Sequence, residues 1–188
     1  TNALGQVSRS YYDAAGNLTN AVDALGRSTK FVYDVLNRRV QTVFADNSTQ
    51  NTYFDVLGRR IAETDQATNT TWFGFDTLGR LTSVTNMLGD VTRYQYDELG
   101  QQITQIDANN HTNKFEYDSL GRRVKRTLPG GQVETFAYNL GGQLTNRVDF
   151  NGYTNSFQYD VMNRLLARVP DPRRSESSVT YAYNVLGL

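Results

Sequence analysis

An aromatic residue followed by Asp or Asn, with Gly or Asn three places beyond that, returns nine times along this chain. The aromatics are Tyr12, Tyr33, Phe54, Phe75, Tyr96, Tyr117, Tyr138, Tyr159 and Tyr183. Seven consecutive intervals are 21 residues long, and the last is 24. A strict period of this length marks a repeat architecture, in which each unit buries its apolar side against its neighbours. It also argues against a private active site. A residue type that returns to one slot in every copy serves the geometry of the repeat.

Counting the aromatic as slot 0, slot +1 holds Asp13, Asp34, Asp55, Asp76, Asp97, Asp118, Asn139, Asp160 and Asn184. Their short side chains can accept hydrogen bonds from the backbone two residues on. Slot +4 holds Gly16, Asn37, Gly58, Gly79, Gly100, Gly121, Gly142, Asn163 and Gly187. Gly and Asn are the residues that enter left-handed backbone space at least cost, so the two slots predict a tight turn. Slot +3 is Ala, Leu or Met in eight of nine copies, which predicts an apolar plug tucked under the sheet. A second turn is expected half a repeat later, at slots +11 to +14. Its pattern is looser, with Phe44 and Thr68 as exceptions.

Between the turns lie segments of about five or six residues, a usual strand length. In one kind, aromatics alternate at slots −2 and 0, as in Phe31/Tyr33, Phe73/Phe75, Phe115/Tyr117 and Phe157/Tyr159. Period two places both rings on one strand face. The expected fold is therefore all-β: tandem 21-residue β-hairpins, 17 strands in all, in one long antiparallel sheet. Accumulated strand twist predicts a coiled wall, either a shell or a tube, rather than a flat ribbon. Residues 1–188 read as one array of about nine repeats. Both ends fall within repeat-like sequence: Thr1-Asn2-Ala3-Leu4-Gly5 parallels Thr85-Asn86-Met87-Leu88-Gly89, and the chain stops after Gly187-Leu188. The expectation is a segment of a longer protein, whose open sheet edges pair with further repeats or other copies. The 24-residue interval places its extra residues in Pro170–Ser178, predicting a bulge with the flanking strands still paired.

Charge narrows the partners. Lys plus Arg and Asp plus Glu number 19 each, so no net field would draw in nucleic acid. No apolar run approaches membrane-spanning length, and the absence of cysteine removes disulfide and thiolate chemistry.

The motif Tyr117-Asp118-Ser119-Leu120-Gly121-Arg122-Arg123-Val124, with Phe75-Asp76-Thr77-Leu78-Gly79-Arg80-Leu81 and its fellows, resembles the YD repeat of the RHS family. That family includes bacterial polymorphic toxin shells, toxin-complex subunits, wall-associated proteins and teneurins. The resemblance implies a spiral β-sheet shell, extracellular or at the cell surface, which in the toxins encloses a C-terminal effector. The family's toxins self-cleave near Asp-Pro-x-Gly-Leu; here Asp171-Pro172 is followed by Arg173-Arg174, so no protease residue carries over. The reading is a non-enzymatic structural scaffold forming a shell or fibre wall. The alternatives are the encapsulating shell of a toxin whose effector lies downstream and an adhesin for glycans or proteins, so an enclosed polypeptide and surface glycans are candidate partners.

Other features read as structural. His111, the sole histidine, sits in a second-type turn and has no evident nucleophile to serve. The Asp-x-x-Gly turns offer one carboxylate each, too few for calcium. No cofactor or metal is expected. Arg38, Arg59, Arg80, Arg122 and Arg164 follow the turns and predict a salt-bridged rim. Trp72, the only tryptophan, is placed with the core or inward aromatic rows.

Overall fold

The computed structural model describes residues 7–184. The expectations for residues 1–5 and for Gly187 lie outside the described residues. Among these the chain forms one open sheet of seventeen antiparallel strands and no helix. The strands are β1 (Arg9–Tyr12), β2 (Leu18–Val22), β3 (Ser28–Tyr33), β4 (Arg39–Val43), β5 (Thr49–Phe54), β6 (Arg60–Thr64), β7 (Thr70–Phe75), β8 (Leu81–Thr85), β9 (Val91–Tyr96), β10 (Gln102–Ile106), β11 (Thr112–Tyr117), β12 (Arg123–Thr127), β13 (Val133–Tyr138), β14 (Leu144–Val148), β15 (Thr154–Tyr159), β16 (Leu165–Val169) and β17 (Val179–Thr180). Contact density divides them into two units, Thr1–Arg93 and Tyr94–Leu188. In each unit, strands pair with their neighbours in sequence.

The two kinds of hairpin differ in register. Pairs closed by the second turn run regularly, as in Val43 opposite Thr49. Pairs closed by the first turn carry a bulge at the aromatic. Tyr53 faces Ala62 and Phe54 faces Arg60, leaving Ile61 as the extra residue. The same shift occurs at Tyr33, Phe75, Tyr117, Tyr138 and Tyr159. A bulge sharpens local twist and re-aims the side chain beside it, so each slot 0 ring is set at a fixed angle just before its turn.

Burial alternates along the aromatic strands. In β11, Asn113, Phe115 and Tyr117 are half-buried, whereas Lys114 and Glu116 are exposed. The ring rows are half-covered rather than enclosed. Among the described residues the buried apolar side chains are Ala62, Ala167 and Pro170, and no large side chain is fully buried. The slot +3 residues correct the sequence reading. Leu57, Leu78 and Leu120 are 74%, 75% and 72% exposed. The turn curls away from the sheet, so its apex projects into solvent instead of plugging the underside. The long interval behaves as a bulge between paired strands: Arg168 pairs with Val179, and the Tyr181 amide donates to the Leu166 carbonyl at 2.9 Å.

Candidate functional site: the ladder that joins the repeats

The turn is built by one carboxylate. In Asp34, Oδ1 accepts from the amides of Leu36 (2.9 Å) and Arg38 (3.0 Å), and Oδ2 accepts from Arg38 Nε at 2.7 Å. Asp55, Asp76, Asp118 and Asp160 repeat this with Arg59, Arg80, Arg122 and Arg164. The backbone closes the loop by two bonds, Asp34 N to Arg38 O and Asn37 N to Asp34 O, each 3.0 Å. Making both bonds in one loop requires a left-handed residue at slot +4, as in a type I turn extended by one αL residue. The eight described slot +4 residues, Gly16, Asn37, Gly58, Gly79, Gly100, Gly121, Gly142 and Asn163, have φ between 60° and 85°.

The second turn shares this backbone, although its sequence is looser. Phe44 and Asn47 make the same two bonds, and Thr68 adopts φ 67°. Asp23 holds Arg27, Asp65 holds Asn69, and Asp107 faces His111 Nδ1 at 3.1 Å. His111 is thus an exposed turn partner. The hydrogen bonds depress the carboxylates. The Arg38 guanidinium, helped by the Arg38 and Leu36 amides, holds Asp34 below its ordinary value despite some desolvation. The Asn17 side chain does the same for Asp13, and the Arg122 amide leads at Asp118.

Four of these arginines cross to the next repeat. Arg38 lies 4.4 Å from the centre of the Phe54 ring, Arg59 5.1 Å from Phe75, Arg122 4.9 Å from Tyr138, and Arg164 4.5 Å from Tyr183. Arg59 and Arg122 also donate to the slot +1 carbonyls of Asp76 (3.1 Å) and Asn139 (3.0 Å). At four of the slot 0 tyrosines the hydroxyl reaches back to the preceding repeat. Tyr33 donates to Leu18 O, Tyr117 to Gln102 O, Tyr138 to Arg123 O and Tyr183 to Leu165 O, at 2.8–3.0 Å. Where slot +5 is Asn17 or Gln143, its amide bonds instead to Asn37 (2.8 Å) or Asn163 (3.0 Å) of the next turn. Carboxylate, guanidinium and ring therefore form a latch between consecutive hairpins. The sequence pointed to salt-bridged arginines; their stacking on rings 16 or 19 residues downstream was not legible in it.

Three groups were missed or misplaced in the sequence reading. In the second unit, Glu134 is 4% exposed and ion-paired to Arg147, in a row with Asn155 and Arg168. In the long interval, Asp171 is 5% exposed and accepts from the Thr154 amide at 2.8 Å and from Arg173. Those bonds, the Arg173 guanidinium first, hold its carboxyl far below the usual range. Arg173 and Arg174 lie 4.9 and 4.6 Å from the Tyr153 ring centre, and Arg174 pairs with Asp149. Finally, Trp72 is 47% exposed on the face away from the ring rows, correcting its placement in the core. Among the described residues no cluster of three or more His, Cys, Asp or Glu is arranged to hold a metal.

The RHS Repeat family matches residues 12–49, 75–112 and 117–154, more than half of the chain. This chain belongs to the RHS repeat family. Each RHS match runs through most of two consecutive 21-residue units. Crystal structures of TcdB2-TccC3 share the fold. The TcdB2-TccC3-Cdc42 structure aligns with 97% of this chain and 14% of its own, at 15% identity and TM-score 0.58. The form without the hypervariable C-terminal region aligns with 96% of this chain and 13% of its own, at 16% identity and TM-score 0.57. This RHS chain thus spans about one seventh of the length of those structures. No curated protein matches it.

Proposed function

We propose that residues 1–188 are a stretch of wall in a secreted or surface-exposed RHS protein. The stretch acts as a non-enzymatic scaffold that curls with further repeats into a shell. The observation that carries this reading is the latch. The carboxylates, arginines and rings that the sequence repeats most faithfully are engaged in capping turns and tying each hairpin to the next. A ladder of this kind can extend without limit, because each unit presents to its successor what its predecessor presented to it. The likeness in fold to TcdB2-TccC3, along almost the full chain, supports a shell over a straight fibre. The half-covered ring rows support it too, since curling would shield them further. Partners on this reading are more repeats of the same chain at the sheet edges and a polypeptide enclosed by the wall.

Cryo-electron microscopy of the full-length polypeptide tests this. The expected image is a hollow β-walled particle whose lumen holds protein density, with that density resistant to added protease until the wall is denatured. An open filament, or a solid particle with all segments cleaved at one rate, would overturn it.

A further inference from the structure

A repeat array supplies its own control for each slot, because the other copies show what the fold requires there. On the face away from the ring rows, slots −1 and +8 and slot −3 of the next repeat stand opposite one another across three strands. The row reads Tyr11–Asn20–Lys30, Val32–Gln41–Asn51, Gly74–Ser83–Arg93, Glu116–Lys125–Thr135, Ala137–Asn146–Ser156 and Gln158–Ala167–Thr180. One copy differs: Tyr53–Ala62–Trp72. It alone among these sets two aromatic rings on either side of a small residue. Since six other copies build the same sheet without that arrangement, the fold does not demand it.

The geometry is that of a shallow cleft. Tyr53 and Trp72 rise from strands two apart, roughly 10 Å at the backbone, with Ala62 as the floor between them. The rings are 50% and 47% exposed, while Ala62 is only 7% exposed. The hollow has a volume of about 360 Å³ and is lined by Tyr53, Ile61, Ala62, Thr64, Thr70 and Trp72. This falls at the lower end of the size range of small-molecule sites. Thr64 and Thr70 sit across from one another at its polar side, their Oγ1 atoms 2.9 Å apart. One hydroxyl of that pair keeps a free hydrogen and both keep lone pairs.

Ring faces beside neutral hydroxyls, with no charged side chain in the lining, select a ligand of matching character. Ions find no counter-charge. A quaternary amine would need rings closing on it from several sides, and a purely apolar segment would leave the threonine pair unmet. A pyranose offers one face of C–H bonds for stacking and a rim of hydroxyls for the threonines. We propose that Tyr53, Ala62 and Trp72 form a binding site for a neutral glycan, with a sugar ring stacked on Trp72 and its hydroxyls on Thr64 and Thr70. This site stands independently of the wall reading and would serve a shell or an adhesin alike.

Trp72 is the sole tryptophan of the chain, so its fluorescence reports this cleft alone. Chitotriose, cellotriose and maltotriose are titrated into the full chain while emission and acrylamide quenching are followed, with an uncharged leucine-rich peptide in parallel. At least one trisaccharide should shift the emission to the blue and reduce quenching, saturating at millimolar concentration or below. Ala62→Gln and Tyr53→Gln place residues that other copies carry in these slots, as at Gln41 and Gln95. They should leave the thermal melt unchanged and abolish the response. No response to any of the three sugars, a response to the peptide alone, or an undiminished sugar response in both variants would overturn the proposal.

Discussion

The regular turns and the 24-residue interval achieve the same junction by different means. At Asp118 one carboxylate caps its own loop and holds Arg122, which lies over Tyr138 in the next repeat. Between Val169 and Val179, Asp171 also caps a turn, its Oδ1 accepting from the Arg173 amide at 2.9 Å and its carbonyl from the Arg174 amide, but its junction with the neighbouring repeat is made differently. Asp171 reaches back to the Thr154 amide, and Arg174 reaches back to Asp149. There Tyr153 occupies the slot that elsewhere holds Arg27, Asn69 or His111, and it is stacked by guanidinium groups arriving from the insertion. Yet Arg164 still lies over Tyr183, and the Tyr183 hydroxyl still meets Leu165 O. The latch is thus separable from the loop length: three extra residues are absorbed at one edge while the ring column continues.

Acid should separate the two regions by the widest margin, because it acts on every carboxylate at once. Folded-state values of Asp34, Asp118 and their fellows are depressed, so the stability they give is complete above about pH 4, the unfolded value. It is lost as pH falls through their folded values. Asp171 lies lower still. Carboxylate titration by NMR should therefore show the turn aspartates protonating before Asp171, with the melting temperature falling over the same range. A melting temperature flat between pH 5 and about pH 2.5 would remove the carboxylates from the account.

Backbone handedness comes next in size. Gly79 has φ 80° with open space around the position of a Cβ, so substitution tests conformation alone. Gly79→Val should cost about 1–2 kcal/mol or more, whereas Gly79→Asn should be mild. Conversely, Thr68→Asn should raise stability, since a β-branched residue is held at φ 67° there. Equal melting of the Val and Asn variants at Gly79 would contradict the turn geometry. A smaller and local effect is expected in the interval. Asp171→Ala should speed exchange of the Thr154 amide and tryptic cleavage at Arg173 and Arg174, leaving repeats before Asp149 unaffected. Cleavage unchanged from the parent would mean the insertion is pinned by something else. Smallest of these, Tyr117→Phe removes one hydroxyl bond and should cost about 0.5–1.5 kcal/mol in urea unfolding, a change the array already carries at Phe54 and Phe75.

The hairpins were legible because two periods coincide: alternation of rings within a strand and recurrence of Gly or Asn between strands. What was not legible depends on direction rather than identity. Leu57 and Leu78 are apolar in sequence, but the αL residue that follows swings the turn apex outward. Trp72 stands one residue from the ring at Phe73, and that single step sends it to the opposite face. Phe44 and Thr68 looked like failures of the second turn, yet the backbone there matches the others. Hydrogen bonds between slots +11, +14 and +15 close that loop whatever the side chain. The guanidinium stacks needed the bulge at slot 0, which no composition reveals.

The central claim is that Arg–ring latches couple each hairpin to the next, with or without the extra residues. Paired double-mutant cycles in equilibrium unfolding test it directly: Arg122→Gln with Tyr138→Leu across a 21-residue interval, and Arg164→Gln with Tyr183→Leu across the 24-residue one. The account predicts a favourable coupling of about 0.5–1 kcal/mol in both cycles. Additive effects in both would contradict it, and coupling confined to the first would show that the long interval breaks the ladder.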